Sequence, residues 1–149
     1  MKNYLLLTAG LLLAGCSKGG GDPAPASVSP TGASWSLNSS TTVTTPNSGG
    51  SPSTQSKSFG TGAINVQFTS DGKVVQTRDK STTATGSNQV VSGTYTYSAG
   101  VVSTSYPGAG ANGTAYSETS SSLTNNSLVL VHTDQTSSNK YVTTDSYSR

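Results

Sequence analysis

The chain has 149 residues, of which 9% are charged and 31% hydrophobic, and its formal net charge is +2. Its Lys and Arg residues form no cluster or run, so the composition argues against a nucleic-acid-binding protein, which would need a basic face. A low aliphatic content indicates disorder only together with a high net charge, so the sequence favours a folded domain with a thin core.

The first 15 residues have the pattern of a secretory signal peptide. Lys2 provides the positive start, and the apolar residues 5–13 follow it. Ala14 and Gly15 are the small residues expected at a cleavage point. The apolar stretch is shorter than the roughly 20 residues that cross a bilayer, so it predicts a signal peptide and not a membrane span.

The residues at the predicted cleavage point, Leu13-Ala14-Gly15-Cys16, resemble the lipobox of bacterial lipoproteins. The resemblance implies cleavage before Cys16, a thioether-linked diacylglycerol on its side chain and a further acyl chain, such as palmitate, on its amine. Two or more acyl chains anchor a protein stably to a membrane. Ser17, in the position where aspartate would retain the protein at the inner membrane, favours the outer membrane, with a periplasmic or surface orientation.

Residues 16–33 are predicted to be the lipidated cysteine and a flexible linker, because glycine and proline dominate them. Residues 34–149 are predicted to form one domain. Removing residues 1–15 takes away Lys2 and leaves seven basic and six acidic side chains. The mature protein is therefore nearly neutral.

The first predicted strand begins near Trp35, with Trp35 and Leu37 on one face, and continues through residues 39–45. A loop is predicted at residues 46–52 because Pro, Asn and Gly concentrate there. Residues 64–68 alternate apolar and polar side chains, as a half-buried strand does. Asp71-Gly72 then predicts a hairpin turn, and the return strand begins with two valines, either of which could face the core.

The remaining half of the chain predicts five more strands joined by short polar segments. These strands are residues 91–97, 101–106, 114–120, 128–131 and 140–147, and the longer loops are residues 107–113 and 134–139. No segment after the signal peptide has a helical period. The pattern predicts an all-β fold, an antiparallel up-and-down meander forming a barrel or a sandwich.

Four pieces of this pattern occur in a particular order. They are Trp35, Phe68-x-x-Asp71-Gly72, Gly93-x-Tyr95 and Leu123-x₄-Leu128-x-Leu130. Together they resemble the lipocalin-like domains of many Gram-negative envelope lipoproteins, over residues 34–149. The resemblance implies an eight-stranded barrel with room for a small apolar or amphipathic ligand. Lipocalins begin with Gly-x-Trp and pack an arginine on that tryptophan; here the spacing is Gly32-x-x-Trp35, and Arg149 is the candidate arginine.

Two motifs could suggest other chemistry. Gly108-x-Gly110-x-x-Gly113 matches a dinucleotide-binding fingerprint, but a predicted strand follows it where that motif needs a helix, so a loop is predicted. His132 could act as a general base with Asp134 or bind a metal. A lone histidine cannot build a typical zinc site, so His132 is predicted to be a side chain at a strand end.

The acidic residues Asp71, Glu118, Asp134 and Asp145 are scattered along the chain. Asp71 and Asp134 are predicted to serve turns, and a pair of catalytic carboxylates remains an alternative. Tyrosines suit either a cavity wall or a core that is short of aliphatics. The set considered is Tyr95, Tyr97, Tyr106, Tyr116, Tyr141 and Tyr147.

The sequence predicts a non-enzymatic, membrane-anchored lipocalin-like lipoprotein that binds a small apolar or amphipathic ligand. It predicts no cofactor, metal site or nucleic-acid partner, and Cys16 is its one assigned functional residue. The alternative is a structural or accessory envelope protein that acts through protein contacts and has no ligand. A hydrolase that uses His132 is the third hypothesis.

Overall fold

The computed structural model describes residues 28–109 and 115–149. The predicted signal peptide, Cys16 and most of the predicted linker lie outside these residues. The described chain forms one 3₁₀ turn, Lys80–Thr82, and nine strands. The strands are β1 (Ser34–Pro46), β2 (Ser53–Ser58), β3 (Ile64–Phe68), β4 (Lys73–Arg78), β5 (Gln89–Ser98), β6 (Val101–Tyr106), β7 (Tyr116–Leu123), β8 (Ser127–Gln135) and β9 (Asn139–Ser148).

All nine strands belong to one antiparallel sheet, which closes because β1 pairs with β9. Ser36 of β1 pairs with β9 on one edge and with β3 on the other. Farther along β1, residues 39–44 pair with β2. Strands β2 and β3 thus share one position in the wall, and the sheet is a closed eight-stranded barrel. The predicted all-β, up-and-down architecture is confirmed.

The hydrophobic core fills one end of the barrel, which we call the closed end. Its buried residues are Trp35, Leu37, Ile64, Val66, Phe68, Val74, Val102, Tyr106, Leu128, Leu130 and Tyr147. Val74 is buried whereas Val75 is not. Of the two valines that could face the core according to the sequence, Val74 is therefore the one that does. The hairpins β3–β4, β5–β6 and β7–β8 turn at this end, and the opposite end is called the open end.

Trp35 closes the barrel floor and is fully buried. Its indole Nε1 donates a hydrogen bond to the Pro30 carbonyl oxygen at 2.8 Å. The Arg149 guanidinium carbon lies 4.4 Å from the centre of the Trp35 ring, a cation–π contact. Arg149 therefore occupies the place of the arginine that the lipocalin resemblance implied.

Gly93 in β5 permits a close approach of β6. A Cβ atom at this position would lie 2.2 Å from the Ser105 carbonyl oxygen and 2.9 Å from Cδ1 of Tyr106. Any larger residue would force the two strands apart. Because Gly93 has no side chain, the Tyr106 ring can pack against its Cα inside the barrel.

The sequence interpretation missed β2 and placed one loop too broadly. All six residues of β2 are exposed, so the strand has no alternating apolar pattern to reveal it. The predicted loop 134–139 shrinks to residues 136–138, because β8 and β9 continue as a polar ribbon beyond the core. Asp134 therefore lies in β8 and does not serve a turn.

Of the predicted loop 107–113, residues 110–113 lie outside the described part of the chain, and with them Gly110 and Gly113 of the fingerprint. Gly108 lies in a turn after β6 with φ of 71°. Among the described residues, no helix is long and apolar enough for a membrane span.

Candidate functional site

A partly open cavity of about 250 Å³ lies above the core, toward the open end. Leu37, Phe59 and Ile64 form its apolar part. The rest of the lining is polar or charged: Ser40, Lys57, Gln76, Arg78, Thr82, Tyr116, Thr143 and Asp145. Lys57 is the residue of β2 in the lining, and β2 pairs with no described strand other than β1. It is the strongest candidate for a binding site because side chains from six strands, β1, β2, β3, β4, β7 and β9, converge on it.

Glu118 lies on the inner face of β7 and is 3% exposed. Its two carboxyl oxygens accept hydrogen bonds from the hydroxyls of Tyr116 and Thr104, each at 3.2 Å. Burial raises the pKa of Glu118 to about 7, and the negative charge of Asp145 adds to this shift. The carboxyl group is therefore partly neutral and partly ionised near neutral pH.

Asp145 belongs to the inner face of β9 and forms part of the cavity wall. Burial raises the pKa of its carboxyl group, and the Ser40 hydroxyl and the charge of Arg78 offset part of that rise. Arg78 donates its Nε–H to Gln76 Oε1 at 2.8 Å. Within the described residues, the one ion pair closer than 4.0 Å is Lys73–Asp71, at the closed end. Neither the buried Glu118 nor the half-buried Asp145 therefore has a cation in contact.

His132 lies on β8 with its ring against Tyr116, the ring centres being 4.1 Å apart. Its Nδ1 is 2.6 Å from the Ser117 carbonyl oxygen. A carbonyl can only accept a hydrogen bond, so Nδ1 carries the proton. Asp134 is exposed, and its carboxylate accepts the Gln135 backbone N–H. The hypothetical His132–Asp134 pair is thus not formed, and His132 lies beside the cavity residue Tyr116.

Three buried polar atoms have no hydrogen-bond partner among the described residues: Tyr106 Oη, Tyr147 Oη and Asp145 Oδ1. Tyr106 is 2% exposed and Tyr147 is 1% exposed. Burial raises the pKa of both phenols, so they remain neutral hydroxyls at physiological pH. Buried polar atoms are nearly always hydrogen-bonded, which makes this group of three unusual.

Four of the six tyrosines take one of the two roles considered for them, in the core or in the cavity wall. Tyr106 and Tyr147 complete the core, as expected where aliphatics are few. Tyr95 packs edge-on against Phe68 and donates to the Thr69 carbonyl oxygen at 2.9 Å, at the closed end. Tyr116 alone among them lines the cavity. Tyr97 and Tyr141 lie outside the core cluster and the cavity lining.

The fold therefore unites residues that are far apart in sequence. Glu118, His132 and Asp145 all face the interior and lie close together, whereas Asp71 and Asp134 lie elsewhere. In the sequence, only the alternation of side chains along each strand indicates this grouping, because it places each of these residues on an inward face. Within residues 28–109 and 115–149, no three His, Cys, Asp or Glu side chains are placed to hold one metal ion.

A closed eight-stranded antiparallel barrel with an internal cavity belongs to the class of small β-barrels that can enclose one small ligand. The family model of the lipocalin-like domain matches residues 31–130. The match covers more than half of the chain, so the chain belongs to the lipocalin-like domain family. It ends at Leu130 in β8, and β9 completes the barrel beyond it. No curated protein matches the chain.

Proposed function

We propose that this protein is a membrane-anchored lipocalin-like lipoprotein whose barrel binds a small amphipathic ligand. The observation that carries the proposal is the partly open cavity above the core. Its volume of about 250 Å³ is close to the lower end of the roughly 300–1,000 Å³ found for small-molecule sites. A compact molecule suits this volume better than a long lipid chain.

The cavity lining favours an amphipathic ligand over a wholly apolar one. Leu37, Phe59 and Ile64 offer apolar contact. Arg78 and Asp145 line the same space, and a wholly apolar occupant would remove water from them without replacing its hydrogen bonds. The ligand should therefore present both an apolar body and a polar group.

Titration of the mature chain with 2-phenylethanol, followed by two-dimensional NMR, tests ligand binding. The protein would carry Cys16→Ser so that it stays free of lipid. We expect saturable shifts at cavity residues such as Ile64 and Thr143, because a compact aromatic alcohol matches both the volume and the mixed lining. Thr143→Phe should abolish them by filling the cavity.

The matched control is Thr144→Phe, which adds the same ring to the opposite face of β9. It should leave the titration unchanged, since neighbouring residues of a strand point to opposite faces. Shifts that fail to saturate, or that survive Thr143→Phe, would contradict binding in the barrel.

The proposed anchor is a lipid on Cys16, in the outer membrane. The supporting observation is the lipobox resemblance of residues 13–16 together with the single cysteine of the chain. In a Gram-negative host, we expect labelled palmitate on the full-length protein and none on Cys16→Ser. The wild type should fractionate with the outer membrane, whereas Ser17→Asp should shift it toward the inner membrane. Recovery of unlabelled wild-type protein in the soluble fraction would refute the anchor.

The alternative of an accessory protein acting through protein contacts is supported by the outer edge of β2, which pairs with no other strand of the described chain. Unpaired strand edges can accept a further strand. This edge consists of Ser, Thr, Gln and Lys57, all exposed, and a polar edge that carries lysine discourages strand addition. The ligand-binding proposal is therefore better supported.

A further inference from the structure

We propose that the ligand's polar group is an organic ammonium, bound by Asp145 with the support of Glu118. This inference rests on the proposed function and names the chemical class that the same cavity accepts. Three independent features of the site carry it: the charges around the cavity, the unpartnered buried atoms and the adjacent aromatic rings.

The first feature is the imbalance of charge in the deep part of the site. Asp145 lines the cavity and Glu118 lies behind it. Two cations, Lys57 and Arg78, also line the cavity. Lys57 is exposed, and Arg78 is more than 4.0 Å from both carboxylates and donates to Gln76. Buried carboxylates are retained at little cost only when a cation or several donors compensate them. A ligand cation would supply the missing contact.

The second feature is the set of unpartnered atoms. Asp145 Oδ1 is a buried acceptor with no donor among the described residues. The hydroxyl of Tyr147, two positions along the same inner face of β9, is equally without a partner. An ammonium group brings three N–H donors and no acceptor. Rotation of the carboxyl group about its last bond, which is a soft torsion, would turn either oxygen toward the cavity.

The third feature is the pair of aromatic rings, Tyr116 and His132, beside the carboxylates. An aromatic face attracts a cation within about 6 Å of its centre. The Phe59 ring at the rim is already covered by Lys57, whose Nζ lies 5.0 Å from the ring centre. His132 packs against the Tyr116 ring, and Tyr116 also lines the cavity, so the part of this ring that faces the cavity is within reach of a ligand. Burial also raises the pKa of both carboxyl groups, and a bound cation would lower it again.

Three compounds that share a phenyl body test the inference: 2-phenylethylammonium, 2-phenylethanol and phenylacetate. We would measure their affinities by isothermal titration calorimetry at pH 8, with the mature chain carrying Cys16→Ser. The ammonium compound should bind at least tenfold more tightly than the alcohol, because hydrogen bonds between ions are about twice as strong as neutral ones. Phenylacetate should bind most weakly.

Asp145→Asn should remove the preference for ammonium while keeping affinity for the alcohol. The control, Asp134→Asn, removes an equal charge from an exposed position on β8 and should keep the preference. Glu118→Gln provides a second variant if Asp145→Asn fails to fold, and it should reduce the preference in part.

The outcomes separate the two proposals. Equal or tighter binding of the alcohol or of phenylacetate would overturn the ammonium inference and leave ligand binding in place. An ammonium preference that persists in Asp145→Asn would overturn it as well. Binding of none of the three compounds would refute both proposals.

Discussion

Trp35→Ala is expected to lower the free energy of unfolding by about 3–5 kcal/mol, the usual loss for a large aromatic removed from a core. The side chain is fully buried at the barrel floor. Its loss would open a cavity there and remove the hydrogen bond to Pro30 and the contact with Arg149. Urea unfolding followed by far-UV circular dichroism measures the change. Tryptophan fluorescence cannot be used, because Trp35 is the only tryptophan and the variant lacks it.

Arg149→Ala is the control for this prediction. It removes only the cation–π contact and a hydrogen bond to the Asn125 carbonyl oxygen, so we expect a loss of about 1 kcal/mol. Trp35→Phe should fall between the two variants. A loss below 1 kcal/mol for Trp35→Ala would show that the barrel floor does not depend on this side chain.

Glu118→Gln is expected to stabilise the protein at pH 8 and to have little effect at pH 4. In the folded state the pKa of Glu118 is raised from 4.5 to about 7. Below the lower value the carboxyl group is protonated in both states, and stability is unaffected. Between the two values only the unfolded chain ionises, so stability falls as pH rises, by about 3 kcal/mol in total. Gln does not ionise, so Glu118→Gln should not lose stability in this way.

Urea unfolding of the wild type and Glu118→Gln at several pH values between 4 and 8 gives the required difference. Other charged or titratable groups face this interior, namely Arg78 of β4, Tyr106 of β6, Tyr116 of β7, His132 of β8, and Asp145 and Tyr147 of β9. They are common to both proteins, so the difference isolates Glu118. A constant difference across this range would contradict the raised pKa.

The sequence predicts those parts of the fold in which one face is buried. Ile64, Val66 and Phe68 alternate because β3 has the core on one side and solvent on the other. Asp71-Gly72 marks its hairpin because Gly72 has a φ of 79°. Strand β2 gave no signal, since neither of its faces is buried. The sequence predicts a loop at the polar ends of β8 and β9 for the same reason.

The candidate site was harder to predict than the fold. The sequence offers Glu118 and Asp145 only as members of a possible pair of catalytic carboxylates, and it does not link His132 to them, because no short motif joins the three. Their proximity depends on the pairing of β7 with β8 and of β8 with β9, and on the register that points each side chain inward. Arg149 was identified as the tryptophan's partner only through the lipocalin resemblance, since 114 positions separate the two residues.

The first described residues lie at the closed end of the barrel, so a membrane anchor that precedes them would attach at that end. Val28 and Pro30 contact Tyr97 and Trp35 at the closed end, and the cavity lies toward the other end. With the proposed lipid on Cys16, the chain up to Val28 can extend at most about 40 Å. The lipid would thus be attached on the floor side of the barrel, opposite its mouth. A ligand could then enter from the aqueous compartment without the anchor in its path.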